Sequence, residues 1–169
     1  MQKFLVASLI LIISVSTGYP LKAQYHASLI GFYNLENFYD TVDNPIVNDE
    51  EFLPNSERHY NTAIFLDKVD RLTSVLSQLG TDVNPDGFAL LGVSEIENDT
   101  VLTALINHKS LKSRGLKFVH YDSPDRRGID VGLLYNPKYF TPLYSEPLFV
   151  QLPGGSKDSY FTRDILYVK

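Results

Sequence analysis

Phe88-Ala89-Leu90-Leu91-Gly92-Val93-Ser94-Glu95-Ile96-Glu97-Asn98 is the stretch that organises this 169-residue chain. Its first six residues form an unbroken apolar run, preceded by a turn at Asp82 to Asp86 that contains Pro85. A run this short and turn-bounded predicts a strand buried on both faces. Ser94 and Glu95 follow at its end, so a carboxylate emerges from a rigid, buried element.

Upstream, Phe65, Val69, Leu72, Leu76 and Leu79 recur at spacings of four and three. That stripe predicts a helix within 57–79, capped at its start by Asn61 or Ser56 and closed by Gly80. Residues 27–34 (ASLIGFYN) predict a first strand, apolar on both sides and ending at Asn34. Residues 36–56 are polar and loop-like, and a loop of that length commonly serves a site. Downstream, Asn98 or Asp99 caps a short helix through Val101, Leu102, Leu105 and Ile106. Strands follow at 116–121 and 129–135, separated by the charged turn 122–128 and closed by Asn136-Pro137. Two more are predicted near 148–152 and 160–168, joined as a hairpin through Pro153-Gly154-Gly155. Strands alternating with helices make this an α/β layered chain. It ends inside a strand pattern, at Asp164 to Lys169, which reads as part of a longer protein.

The N-terminus follows a different rule. Lys3 precedes an almost continuous apolar run from Phe4 to Val15, then helix-ending residues and Leu21-Lys22-Ala23. This is the order of a secretory signal peptide over residues 1–23, cleaved after Ala23 and too short for a stable membrane anchor. The mature part, residues 24–169, is expected to be periplasmic or secreted. With no cysteine in the chain, disulfides and a lipid-modified cysteine are both excluded. Without Lys3 and Lys22 the mature part has 13 basic and 20 acidic residues, a net charge of about −7. Such a surface does not draw polyanions from a distance, although bound metal can invert the field locally.

Three polar clusters sit at predicted strand ends, where open α/β folds place their sites. They are Asn34 to Asn37, Ser94 to Asn98, and Asp122 to Asp130. A hard cation such as Mg²⁺ takes oxygen ligands and few protein carboxylates. Glu95 suits that role, Glu97 would share its side if the strand continued, and Asn34 offers a carbonyl oxygen to a metal or an amide N–H to a phosphate. Arg126 and Arg127 suit bidentate phosphate binding, with Asp125 and Asp130 holding them in place. Each cluster also has a bland alternative: a surface carboxylate, a turn-forming asparagine, or a turn closed by Asp–Arg pairs. The histidines are scattered, and no spacing among them indicates a metal site.

Taken together, FYNLENFYDT (Phe32 to Thr41), ALLGVSEIEN (Ala89 to Asn98) and HYDSPDRRGIDVGLLYNP (His120 to Pro137) resemble the endonuclease/exonuclease/phosphatase family, in its exported bacterial branch. The resemblance implies a DNase I-like four-layer α/β sandwich of which this chain holds the first part. It implies metal-dependent hydrolysis of phosphoesters, with Mg²⁺ or alternatively Mn²⁺, and DNA or RNA among the candidate substrates. Asn34 matches the family asparagine that contacts metal or phosphate, and Glu95 the metal-binding glutamate. Arg126, Arg127 and Asp130 are carried over only as residues near substrate phosphate. The family's later asparagine, aspartate and histidine blocks are not found, so these 169 residues are expected to be inactive alone. The open sheet edges of a half domain predict poor solubility as well. A non-catalytic exported binding module on the same scaffold is the alternative. The acidic stretch at residues 40–51 argues against duplex DNA.

Overall fold

The computed structural model describes residues 27–150 and 162–169. The signal segment 1–23 and the Pro153-Gly154-Gly155 turn lie outside them.

A four-stranded mixed sheet carries the fold. Its strands are β1 (Leu29–Phe38), β2 (Phe88–Ile96), β3 (Lys117–His120) and β4 (Asp130–Tyr135), in the spatial order β1-β2-β4-β3. β1 and β2 run parallel, so a crossover must join them, and the helix α1 (Thr62–Leu76) supplies it. A second helix, α2 (Asp99–Asn107), joins β2 to β3, and β4 runs antiparallel to both its neighbours. The common end of the sheet therefore holds the C-terminal ends of β1, β2 and β3 and the start of β4. All three polar clusters lie there.

Both helices begin where an asparagine satisfies their free amides. The Asn61 side chain accepts from the N–H groups of Ala63 and Ile64, and Asn98 does the same for Thr100 and Val101. Asn61 sets the start of α1 later than Glu57, and turns replace its expected end after Leu76. The predicted stripe packs as expected: Val69 and Leu76 are buried, with Phe65, Leu72 and Leu79 against them. With Val101, Leu102 and Leu105 of α2 they cover Leu91, Val93, Ile96 and Leu134 on one face of the sheet.

The other face corrects one expectation. β1 is not buried on both sides, because Ile30 and Phe32 are each 68% exposed. Among the described residues nothing covers that flank of the sheet. A two-stranded antiparallel ribbon of β5 (Ser145–Leu148) and β6 (Ile165–Val168) lies nearer β4 instead. An apolar cleft lined by Phe32, Leu133, Ile165 and Val168 separates it from the main sheet. β5 starts earlier than the strand expected at 148–152. The result is a helix layer, a sheet and a second small sheet, consistent with part of a DNase I-like sandwich. No helix of the described residues is long and apolar enough to cross a membrane.

Close packing of α2 on the sheet depends on Gly132. A Cβ there would meet Ile96 Cδ1 at 2.9 Å, Val93 Cγ2 at 3.3 Å and Leu102 Cδ1 at 3.4 Å. Gly132→Val is expected to destabilise the protein by about 1–3 kcal/mol through overpacking. Urea unfolding should show this as a lower midpoint at unchanged slope.

Candidate active site

From Ile30 onward the pairing of β1 with β2 is regular as far as Asn34 opposite Ser94, then skips to Phe38 opposite Ile96. Three residues of β1 thus face one residue of β2. On the other side, Ser94 pairs with Val131 and Ile96 with Asp130, again passing over Glu95. Glu95 is out of register with both neighbours, and bulges of this kind re-aim side chains. The backbone shows what this costs. Glu36, Asn37 and Glu95 have φ of 54°, 55° and 59°, a left-handed region that asparagine tolerates and glutamate adopts only when its surroundings enforce it.

The enforcing contacts are polar. Asn34 Nδ2 donates to Glu95 Oε1 at 3.1 Å, and the Asn37 N–H donates to Glu95 Oε2 at 3.0 Å. Asn34 Oδ1 accepts the Glu36 N–H at 2.8 Å, which turns the bulge. From α1, Lys68 Nζ donates to the carbonyl of Glu36 at 2.5 Å and to that of Asn37 at 2.8 Å. Partial burial pushes the Lys68 ammonium below its ordinary pKa, and the carboxylates of Glu36 and Glu95 oppose that shift. Asn34 and Glu95, two of the predicted site residues, therefore touch at an accessible sheet end.

The arginine turn lies beside them. Asp125 is buried and accepts from the Arg127 N–H, Nε and Nη2 at 3.0, 3.3 and 3.1 Å. Arg163, ahead of β6, approaches the same carboxylate at 3.8 Å. Hydrogen bonding to Asp125 raises the Arg127 pKa further, with Glu95 adding to the effect, so Arg127 lies within the field of Glu95. The buried Tyr39 hydroxyl donates to the Arg127 carbonyl at 2.7 Å, and the Asn48 N–H donates to that of Arg126 at 2.7 Å. The Arg126 side chain is exposed and makes no ion pair among the described residues.

Asp130 is placed differently from the arginines. It alternates with Gly132 and Leu134 on the buried helix-facing side of β4. Its carboxylate accepts the Ser123 N–H at 3.0 Å and faces His120 Nε2 at 3.3 Å, while Asp99 meets His120 Nδ1 at 2.8 Å. Burial disfavours a charged imidazole, but the hydrogen bonds from Asp130 and Asp99 outweigh it and raise the His120 pKa. With Asp122, these residues bring ligand atoms within 4.8 Å of one another, close enough to hold a metal. Sequence spacing gave no sign of this group, because His120 and Asp130 meet only through the β3–β4 pairing. Both ring nitrogens of His120 already face carboxylates, and a protonated imidazole repels a cation. The Glu95 group offers only oxygen ligands, with lone pairs to spare on both its oxygens, and suits a hard divalent cation better.

Glu97 does not share the side of Glu95. It is buried, and its Oε2 accepts the Asp40 N–H at 2.7 Å. Asp40 in turn accepts from Val42 N–H and from Asn98 Nδ2 at 2.7 and 3.0 Å. The loop expected at 36–56 is thus anchored. Its start belongs to β1, Glu50–Phe52 forms a 3-10 turn, and Phe52 stacks on Tyr39 at 4.0 Å and packs edge-on to Tyr60.

Burial, aided by Asp40 and Asp49, raises the Glu97 pKa from 4.5 to about 7 although the Asp40 N–H opposes it. The folded protein therefore holds this proton more tightly than the unfolded chain. Its contribution is complete below pH 4.5 and is lost as pH rises through about 7, a difference on the order of 3 kcal/mol. Glu97→Gln keeps an acceptor for Asp40 and cannot ionise. Urea unfolding across pH 4.5 to 8 is expected to show the variant gaining on wild type as pH rises.

Comparison with protein-family models matches residues 29–169 to the Endonuclease/Exonuclease/phosphatase family. Comparison with curated proteins and with solved structures gives no match. The family match runs from the first residue of β1 through β6 and takes in every strand-end cluster described above. The chain belongs to the endonuclease/exonuclease/phosphatase family.

Proposed function

We propose that this protein is a metal-dependent phosphoester hydrolase, with Glu95 and Asn34 holding a divalent cation, Mg²⁺ or Mn²⁺. The observation that supports it most is the contact of Asn34 with Glu95 at the accessible end of the parallel strand pair. Each Glu95 oxygen accepts one hydrogen bond there and keeps a lone pair for a further partner. When bound, the cation offsets the negative charge that builds on phosphate as water displaces the ester oxygen.

The protein's own groups divide the remaining work. Asn34 and the Asn37 N–H fix the direction of the Glu95 carboxylate. Asp125 holds Arg127 by Nε and Nη2, leaving Nη1 to donate to a phosphate oxygen. Arg126 adds an exposed second guanidinium on the same turn. Tyr39 and Asn48 hold that turn through the carbonyls of Arg127 and Arg126. Asp130 acts from beneath, by holding the Ser123 N–H and His120. Arg127 is thus a donor fixed before substrate arrives, the arrangement that stabilises developing charge at least cost.

The substrate class lies between DNA, RNA and smaller phosphoesters. A mature net charge of about −7 works against long-range capture of nucleic acid, while the arginine turn supplies a local cation site. Residues 1–23 support export to the periplasm or medium.

Assayed on plasmid DNA, RNA and bis(4-nitrophenyl) phosphate with Mg²⁺, the protein in its natural full length should cleave at least one substrate and stop when the metal is chelated. Glu95→Ala should lower that rate about 100-fold or more. Undiminished activity of Glu95→Ala at saturating Mg²⁺ would remove Glu95 from the site. N-terminal sequencing of the exported protein should begin at Gln24.

A further inference from the structure

We propose that Lys68 is the positioning residue of the Glu95 site, acting through a single peptide group. This rests on the metal-site reading of Glu95. The Glu36 carbonyl that accepts from Lys68 Nζ at 2.5 Å belongs to the same peptide unit as the Asn37 N–H that donates to Glu95 Oε2 at 3.0 Å. One amide is thus clamped between an ammonium and a carboxylate. The cation draws electron density toward the carbonyl oxygen and makes the N–H a stronger donor to Glu95, since linked hydrogen bonds polarise one another. A second bond from Lys68, to the Asn37 carbonyl at 2.8 Å, fixes the next peptide.

The local backbone needs such a clamp. Glu36 and Asn37 are consecutive residues with side chains held in the left-handed region. Asparagine tolerates that conformation better than most residues, but a glutamate does not, so Glu36 needs outside support. Lys68 comes from a different element, so the bulge is held from outside. Its position on α1 makes this workable. Phe65 and Leu72, three residues before and four after it, pack against the core, and the ammonium passes over the Phe38 ring at 5.8 Å. The two carbonyls offset part of the burial that this placement costs.

In this role Lys68 acts through the Glu36 and Asn37 carbonyls, so its loss should appear as a poorly oriented Glu95. The test is Mn²⁺ binding by the purified protein, followed by calorimetry and needing no substrate. Lys68→Met is expected to weaken Mn²⁺ binding about 10-fold, the scale of losing a group that orients a metal ligand. It should also speed hydrogen exchange at the Asn37 amide. Residues 1–169 hold no cysteine, so in a background free of other thiols Lys68→Cys can be aminoethylated to rebuild an ammonium on a side chain of nearly the same length. Recovery of affinity on modification is the expected result.

Glu95→Gln serves as the reference. Loss of Mn²⁺ binding in Glu95→Gln with wild-type affinity in Lys68→Met would overturn the role of Lys68 and leave the site intact. Unchanged binding in Glu95→Gln would overturn the site itself, and this inference with it. If the neutral variants do not fold, Lys68→Arg takes their place. Its longer, planar head cannot converge on both carbonyls as an ammonium does, so a several-fold loss is expected, and wild-type affinity would overturn the proposal.

Discussion

The site depends on one irregularity: Glu95 is out of step with the strands on both sides of it. A regular sheet would have sent its side chain to one face or the other, into the helix layer or toward the β5–β6 ribbon. The double break in register turns it to the sheet end, where the parallel pairing has already delivered Asn34. Parallel neighbours end together, so Asn34 and Glu95 meet although 61 residues separate them. The crossover helix that makes this pairing feasible also delivers Lys68 to the bulge. One topological unit, β1-α1-β2, therefore builds a carboxylate, its amide partner and the cation beside them.

Around this point the protein places other carboxylates where they cannot compete. Asp40, Asp49, Glu97, Asp125 and Asp130 are all buried or nearly so. Backbone amides or fixed cations engage each of them: Asp40 and Asp49 accept from Val42 and Asn44, Glu97 from Asp40, Asp125 from Arg127, and Asp130 from Ser123. Buried charge is tolerable only under such terms. At Glu97 burial, with two acidic neighbours, outweighs the one amide it accepts from, which is why its proton is held so firmly. Glu95 keeps solvent access and spare lone pairs. Chemically similar side chains are thus divided into those that hold loops and one that can meet a ligand.

Much of the architecture was legible because it follows from short-range rules. The stripe from Phe65 to Leu79, the apolar run at Phe88 and the caps at Asn61 and Asn98 each express a local preference that packing then reinforced. Boundaries were less legible. Asn61 began α1 later than the expected start near Glu57, and β1 continued through Glu36 and Asn37, which carry no strand signal of their own. The exposure of Ile30 and Phe32 was not legible either. An apolar pattern shows that a face can be buried, and only the arrangement of other elements decides whether it is.

The sequence by itself determined the element order, the placing of three polar clusters at strand ends, and the family to which those clusters point. It did so because periodicity, capping and turn chemistry act over a few residues. Only the tertiary structure decided which members of the clusters meet. It joined Asn34 to Glu95, turned Glu97 away to hold Asp40, set Asp130 beneath the sheet against His120, and brought Lys68 from α1 to the bulge. The reason is register. Whether a side chain near a strand end faces a neighbour, the core or the open end depends on pairing with a strand that is distant in the chain. A bulge changes that answer without any local sequence signal.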